Sequence, residues 1–316
     1  IVIGGQEHFY LEGQAALAIP GEDGDMTLHC STQHPSEIQR KVATSLGLAN
    51  HAVTVETRRM GGAFGGKESQ GNLPAITAAL AAKLTGRSAK TVYDRDDDFM
   101  LTGKRHDVRI DYSVGFDNDG KIRGVVFEQA LRCGMSWDLS ESIAARAMCH
   151  ADNAYHIKNM RIISHRCRTN TQSNTAFRGF GGPQGMVGIE RVIDAIAHHL
   201  GLDPLVVRQR NFYPHKQASD YGMTPYGQPV EDCVIQDIVD TLVKTSDYVK
   251  RRKAVEIFNK ANRYVKRGIA LTPVKFGISF NSSFLNQAGA LVHVYNDGSV
   301  HLNHGGTEMG QGLYTK

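Results

Sequence analysis

The sequence lacks the features that would place it in a membrane, on nucleic acid or in a disulfide-stapled secreted fold. Its longest apolar run, around residues 75–82, is far short of the ~18 residues a membrane span needs. No block of Lys and Arg interleaves with aromatics, and a formal net charge of +4 is mild for 316 residues. Nucleic-acid binding therefore has little support. The five cysteines, Cys30, Cys133, Cys149, Cys167 and Cys233, are odd in number, scattered, and form no C-x-x-C pair. That argues against zinc or iron–sulfur ligation within this chain and against a disulfide framework, leaving reduced thiols in a cytoplasmic protein as the expectation. The 14 histidines show no metal-ligand spacing, and His198-His199 reads as an exposed pair on a helix. Repeats of 20–50 residues and low-complexity tracts are also missing, and no signal peptide is expected. The chain opens on "IVIGG" without a Met.

Glycine is what the sequence has in excess: 33 residues, about a tenth of the chain against an average near 7%. Hydrophobic content of 41% and charged content of 22% fit a globular core of one large domain or two ordinary ones. Pro35 followed by Ile38, Val42, Leu46 and then Gly47 predicts an amphipathic helix with Pro near its start. "AVTVET" (52–57) reads as a strand, and "LPAITAALAAKLTG" (73–86) as a helix that Gly71 and Pro74 would delay or kink. Val108, Ile110, Tyr112 and Val114 alternate up to an Asp117-Asn118-Asp119-Gly120 turn, predicting a hairpin with "KIRGVVFEQAL". A second hairpin turns at Asn296-Asp297-Gly298. Helices are expected over roughly 184–200, after Asp203-Pro204, and twice within 234–260. Hairpins mixed with helices predict an α+β fold with mixed sheets. The Pro- and Gly-rich stretch 214–232 is the expected boundary between a first part, 1–213, and a continuation, 233–316.

The stretch "RRMGGAFGGKES" nearly fits the nucleotide loop G-x-x-x-x-G-K-[ST], with Gly61, Gly66 and Lys67 in place. Glu68 stands where the Mg²⁺-binding hydroxyl should be, and a carboxylate there would repel phosphates. A P-loop module is the rival reading, and it predicts Mg-ATP binding that depends on Lys67. Two further clusters, Arg178 to Gly185 and Gly305 to Gly312, also pair glycines around one large or polar side chain. Glycines let backbone N–H groups approach a ligand closely. Three such loops suggest a large, polar, phosphate-bearing cofactor held between them. Glu68 has no evident partner in that loop except Lys67. Without further information Arg146 reads as a surface charge, Phe180 and Phe280 as core aromatics, and Gln33 as a helix cap. The Asp94–Asp98 cluster reads as an exposed acidic turn with no assigned role.

"STQHP", "GGAFGGKE", "NTAFRGFGGPQG", "KFGISF", "LNQAGALVHVY" and "HGGTEMGQG" together resemble the molybdenum-cofactor region of xanthine dehydrogenases, within the molybdenum hydroxylase family. The resemblance runs through essentially the whole chain, least so in 214–232. It implies a molybdenum–molybdopterin cofactor contacted by Gln33, Gly62, Phe64, Gly65, Arg178, Gly310 and Gln311. Of these, Gln33, Phe64 and Arg178 would surround the metal without ligating it. Glu68 and Arg146 would grip a purine substrate, and Phe180 and Phe280 would sandwich it. Xanthine is flat with urea-like edges, so two rings holding its plane and two charged groups fixing its orientation form a coherent set. Negative charge accumulates on the purine during oxidation, which an arginine stabilises. Aldehyde-oxidising relatives generally carry apolar residues at the Glu and Arg positions, so Glu68 and Arg146 favour purine.

Two departures qualify the resemblance. Asn281 stands where the family has a substrate-facing Thr, and it is larger while keeping donor and acceptor capacity. The family's general-base glutamate lies in a "GVGEP"-like motif that this chain does not contain, so no general base is expected among its residues. The chain is accordingly expected to be a piece of a longer protein, without activity on its own. The intact enzyme would convert hypoxanthine to xanthine and urate, passing electrons through [2Fe-2S] centres and FAD to NAD in other domains or subunits of an oligomer. The alternatives are an aldehyde- or other heterocycle-oxidising relative, and a non-catalytic scaffold that folds without cofactor.

Overall fold

A computed structural model describes residues 1–219 and 221–316. Its elements run β1 (Val2–Ile3), β2 (Ala15–Pro20), β3 (Met26–Cys30), α1 (Pro35–Leu46), β4 (Val53–Glu56), α2 (Asn72–Thr85), β5 (Ala89–Val92) and α3 (Arg95–Leu101). Then come β6 (Val108–Phe116), β7 (Ile122–Gly134), α4 (Ser140–Cys149), β8 (Met160–Arg168), α5 (Gly182–Leu200) and α6 (Pro204–Asn211). The last are α7 (Ile235–Thr245), α8 (Tyr248–Ala261), β9 (Ala290–Val294) and β10 (Val300–His304). The fold is α+β, as the mixture of hairpins and amphipathic helices predicts.

Two mixed four-stranded sheets each organise a core. In the first, ordered β4-β3-β2-β5, only the β3–β4 pair is parallel. Ala18 and Leu28 of this sheet pack with Ile38 and Val42 of α1 and with Ala75, Ala78, Ala79 and Ala82 of α2. The small alanine face lets α2 lie close to the strands. Pro74 neither delays nor breaks α2: it sits in the first turn, where its missing N–H has no intrahelical acceptor in any case. In the second sheet, ordered β1-β6-β7-β8, the long β6–β7 hairpin turns at residues 117–120. Ile110, Phe127 and Leu131 meet Ile189, Ile193 and Ile196 of α5, while Ile143 and Ala144 bring in α4.

The helix ends follow their local sequence. Gly47, Gly86 and Gly201 close α1, α2 and α5 in the left-handed conformation. The Asp203 carboxylate accepts the Leu205 N–H at 2.8 Å to start α6. Asp94 does the same for α3 through the Asp97 N–H. The rest of that acidic turn is not all exposed: Asp98 is fully buried and accepts the Tyr10 hydroxyl at 2.7 Å. All five cysteines are free, and His198 and His199 are exposed. Among the described residues no helix is long and apolar enough to cross a membrane, and no group of three or more His, Cys, Asp or Glu could hold a metal ion.

Candidate functional site

The three glycine clusters are far apart in sequence and meet at one cavity of about 910 Å³. Backbone contacts bring them together. The Arg178 N–H donates to the Phe64 carbonyl at 2.9 Å, joining the second cluster to the first. The Met60 N–H donates to the Glu308 carbonyl at 2.9 Å, beside a bridge between Arg59 and Glu308, joining the third to the first. The walls include Gln33, Gly62, Phe64, Gly65, Glu68, Arg178, Phe180, Gly310 and Gln311. Nine of the twelve residues singled out from the sequence are therefore in one place, while Arg146, Phe280 and Asn281 are not on the cavity wall.

Only some of the glycines face this cavity. Gly62 and Gly65 hold φ of 93° and 96° around Phe64, itself left-handed at 56°. A Cβ at Gly65 would stand 2.8 Å from the Ala176 backbone, so the close meeting of the first two clusters requires glycine there. Gly181 and Gly185 serve another purpose. Their Cβ atoms would lie 2.1 Å from the Ile143 carbonyl and 2.2 Å from that of Ala147, so they let α5 pack backbone to backbone on α4.

Lys67 turns away from the cavity. It is fully buried, donates to the Ser31 hydroxyl at 2.8 Å, and pairs with Glu12 at 3.4 Å over the Tyr10 ring. A P-loop lysine must reach phosphates, so this placement removes the nucleotide reading. It also means that Glu68 is not paired with Lys67. Glu68 is half-buried on the cavity wall, and among the described residues its carboxylate has no hydrogen-bond partner. Burial, reinforced by Asp138 and Glu37 and opposed by His34, pushes its carboxyl up to about 7.

Gln33 does not cap α1. Its side-chain oxygen accepts the N–H groups of Gly65 at 2.9 Å and Lys67 at 3.3 Å, which leaves its NH₂ as a donor at the cavity wall. Arg178 is exposed there, and its carbonyl is held by the buried Arg105 guanidinium at 2.9 Å. Gln311 is occupied by its own loop, accepting from the Met309 N–H and donating to the Thr307 carbonyl. That loop wraps the Glu308 carboxylate, which accepts N–H groups of Gly310, Gly312 and Tyr314; these hydrogen bonds hold it below the usual carboxylate range.

Arg146 is buried on α4, contrary to its reading as a surface charge. Its guanidinium donates to the carbonyls of Gly277 and Ser279 and lies 5.7 Å from the Phe180 ring centroid. The segment it grips leads to Phe280 and Asn281. The same segment is fixed by His150, whose Nε2 accepts the Gly277 N–H at 3.0 Å, and by an ion pair between Asp152 and Lys275. His150 therefore carries its proton on Nδ1, facing the Arg146 carbonyl at 2.8 Å. Phe280 meets Phe180 directly, with centroids 5.6 Å apart and planes at 53°. A flat ring between two others needs roughly 7 Å between them, so these two touch without a slot. Asn281 is exposed.

The residues fit a molybdopterin cofactor on the evidence of this cradle. Left-handed glycines bring backbone to the surface of a cavity large enough for a cofactor and a small substrate, and Gln33 and Arg178 stand on its wall as donors. Comparison with known proteins agrees. A molybdopterin cofactor-binding domain family matches residues 1–212, and a second family of the same description matches 241–316. Xanthine dehydrogenase/oxidase of Gallus gallus is 47% identical over 315 residues, covering 99% of this chain and 23% of that protein. Xanthine dehydrogenase of Drosophila subobscura is 48% identical over 314 residues, with the same two coverages. The chain thus spans less than a quarter of the curated relatives it matches. Carbon monoxide dehydrogenase of Oligotropha carboxidovorans superposes with a TM-score of 0.83 at 22% identity, covering 98% of this chain and 40% of that one. At that identity the likeness speaks for the fold alone.

Proposed function

The chain belongs to the molybdopterin cofactor-binding family, and from that premise we propose that it supplies the cofactor loops and purine pocket of a xanthine-oxidising enzyme. The observation that carries the proposal is Glu68: a carboxylate on the cavity wall, without a hydrogen-bond partner among the described residues, its carboxyl pushed up by burial to about 7. Near that pH it can donate to a ring nitrogen or accept from a ring N–H, which the urea-like edges of a purine require. An aldehyde offers no such pair. The identity of 47% to xanthine dehydrogenase/oxidase supports the same substrate class.

Gln33, Arg178 and the backbone around Gly62, Gly65 and Gly310 would hold the cofactor, with Gln311 taking part through its loop. When bound, the molybdenum centre supplies two-electron oxidation of a ring carbon with water as the oxygen source. This chain's own residues bind and orient the substrate. Phe180 presents one face to it. Phe280 and Asn281 reach it once the segment gripped by Arg146 shifts far enough to part the two rings, which also frees the guanidinium to stabilise negative charge on the purine. Among the described cavity residues Glu68 is the only carboxylate, and its role in binding leaves the general base to another part of the protein. We assign the [2Fe-2S], FAD and NAD sites to those other parts, place the boundary between the two parts of this chain at 214–232, and take the enzyme to be an oligomer in the cytoplasm.

The test is steady-state turnover of the full-length enzyme on xanthine, hypoxanthine and a panel of aldehydes. Higher kcat/KM for the purines is expected. Preference for aldehydes would overturn the substrate assignment, and the larger Asn281 is the residue to which it would then point.

A further inference from the structure

A second carboxylate lies behind Glu68, and the sequence gives no sign of it. Asp138 sits two residues before α4, its backbone left-handed at φ 40°. It accepts hydrogen bonds from the Ser69 hydroxyl at 2.8 Å, the Gln70 amide at 2.7 Å and the Thr175 hydroxyl at 3.3 Å. Ser69 and Gln70 directly follow Glu68. Thr175 lies just before the second glycine cluster, and α4 carries Arg146. One side chain thus ties together three of the elements that build the site. A non-glycine residue held left-handed costs of order 1 kcal/mol or more and persists only where its surroundings fix it. The hydrogen bonds to Asp138 supply that fixing.

We infer that Asp138 is a positioning residue for substrate recognition, setting the direction of Glu68 relative to α4 and presenting a second negative charge behind it. The inference rests on the proposed role of Glu68 in gripping the purine. Asp138 and Glu37 face Glu68 as negative groups, and His34, paired with Glu37 at 3.1 Å, faces it as the potential cation. Lys67, the adjacent residue, is turned toward Glu12 and Ser31. Like charge favours the protonated carboxyl. Burial pushes the Asp138 carboxyl itself up, and the Ser69, Gln70 and Thr175 hydrogen bonds draw it back; ionised, it adds to burial in helping Glu68 keep the proton it donates to a ring nitrogen.

Two substitutions separate direction from charge. Asp138→Asn keeps an acceptor for the Gln70 amide, and the Ser69 and Thr175 hydroxyls can rotate to accept from its NH₂; shape survives and the charge goes. Asp138→Ala removes both. The test is made on the full-length enzyme, with Glu68→Gln as the reference variant. Infrared difference titration of the substrate-free enzyme reads the protonated carboxyl band that Glu68→Gln abolishes. In Asp138→Asn its midpoint should move down, and the acid limb of kcat/KM for xanthine should move with it. In Asp138→Ala the KM for xanthine should rise about tenfold or more, and amide exchange at 68–70 should quicken. If Glu68→Gln impairs purine turnover while Asp138→Asn moves neither midpoint, the inference is overturned. If Glu68→Gln leaves purine turnover intact, the substrate assignment itself fails. Should Asp138→Ala not fold, Asp138→Asn alone decides.

Discussion

Glu68 is the residue on which the reading turns, because the loop around it resembles two chemistries and only one tolerates a carboxylate. Its environment makes a prediction that needs no substrate. A carboxyl raised from its ordinary 4.5 to about 7 binds its proton more tightly in the folded protein than in the unfolded chain. The associated stability is complete below pH 4.5 and is lost as pH rises through about 7. Glu68→Gln should therefore melt at the parent temperature near pH 4.5 and above it at pH 8, by about 1–2 kcal/mol after allowing for solvent at a half-buried site. Thermal unfolding of the two proteins across that pH range checks it; a higher melting point at the acid end would contradict the burial argument. At this scale the family resemblance singled out Glu68 and Gln33, which line the cavity, but their neighbours were not legible. Lys67 is satisfied by Glu12 and Ser31, 55 and 36 residues away, and no local spacing encodes such a pairing. Asp138 was hidden for the same reason.

At the scale of elements, α4 braces the site from behind. Its beginning is joined to the Glu68 loop through Asp138, and its end holds the segment leading to Phe280 through Arg146, His150 and Asp152. Its seat on α5 depends on Gly181 and Gly185. Gly185→Ala would drive a methyl into the Ala147 carbonyl, so it should destabilise the protein by roughly 2 kcal/mol or more and weaken purine binding through displaced α4. A chemical denaturation midpoint unchanged from the parent would refute this packing role. Elements were the most legible level: the Asp-Asn-Asp-Gly turn, the Asp203-Pro204 start and the closing glycines act through their own few residues. The second glycine cluster was only half legible. Its sequence pattern reads as ligand approach throughout, yet Gly181 and Gly185 answer to helix packing, a contact that depends on where α4 comes to lie.

At the scale of the molecule, the last fifty residues differ from the rest. Among the described residues strands β9 and β10 pair only with each other, and Leu291, Val292, Val294, Val300 and Leu302 are all more than half exposed. The third glycine cluster follows this hairpin, is tied to the first cluster mainly at Glu308, and forms one wall of the cavity. A wall so lightly supported should hold a large cofactor poorly. Elemental analysis of the purified 316-residue chain is accordingly expected to give molybdenum well below one per chain, and stoichiometric metal would refute that. The convergence of three glycine loops was legible only as a suggestion, since pairings such as Arg59 with Glu308 span some 250 residues. The most direct measurement of the central claim is made on the full-length enzyme, with and without Glu68→Val, by comparing kcat/KM for xanthine and for aldehydes. The purine value should fall by about a hundredfold, close to 2.7 kcal/mol of transition-state stabilisation, while aldehyde turnover holds within about threefold. Equal losses on both substrates would show that Glu68 does not grip the purine.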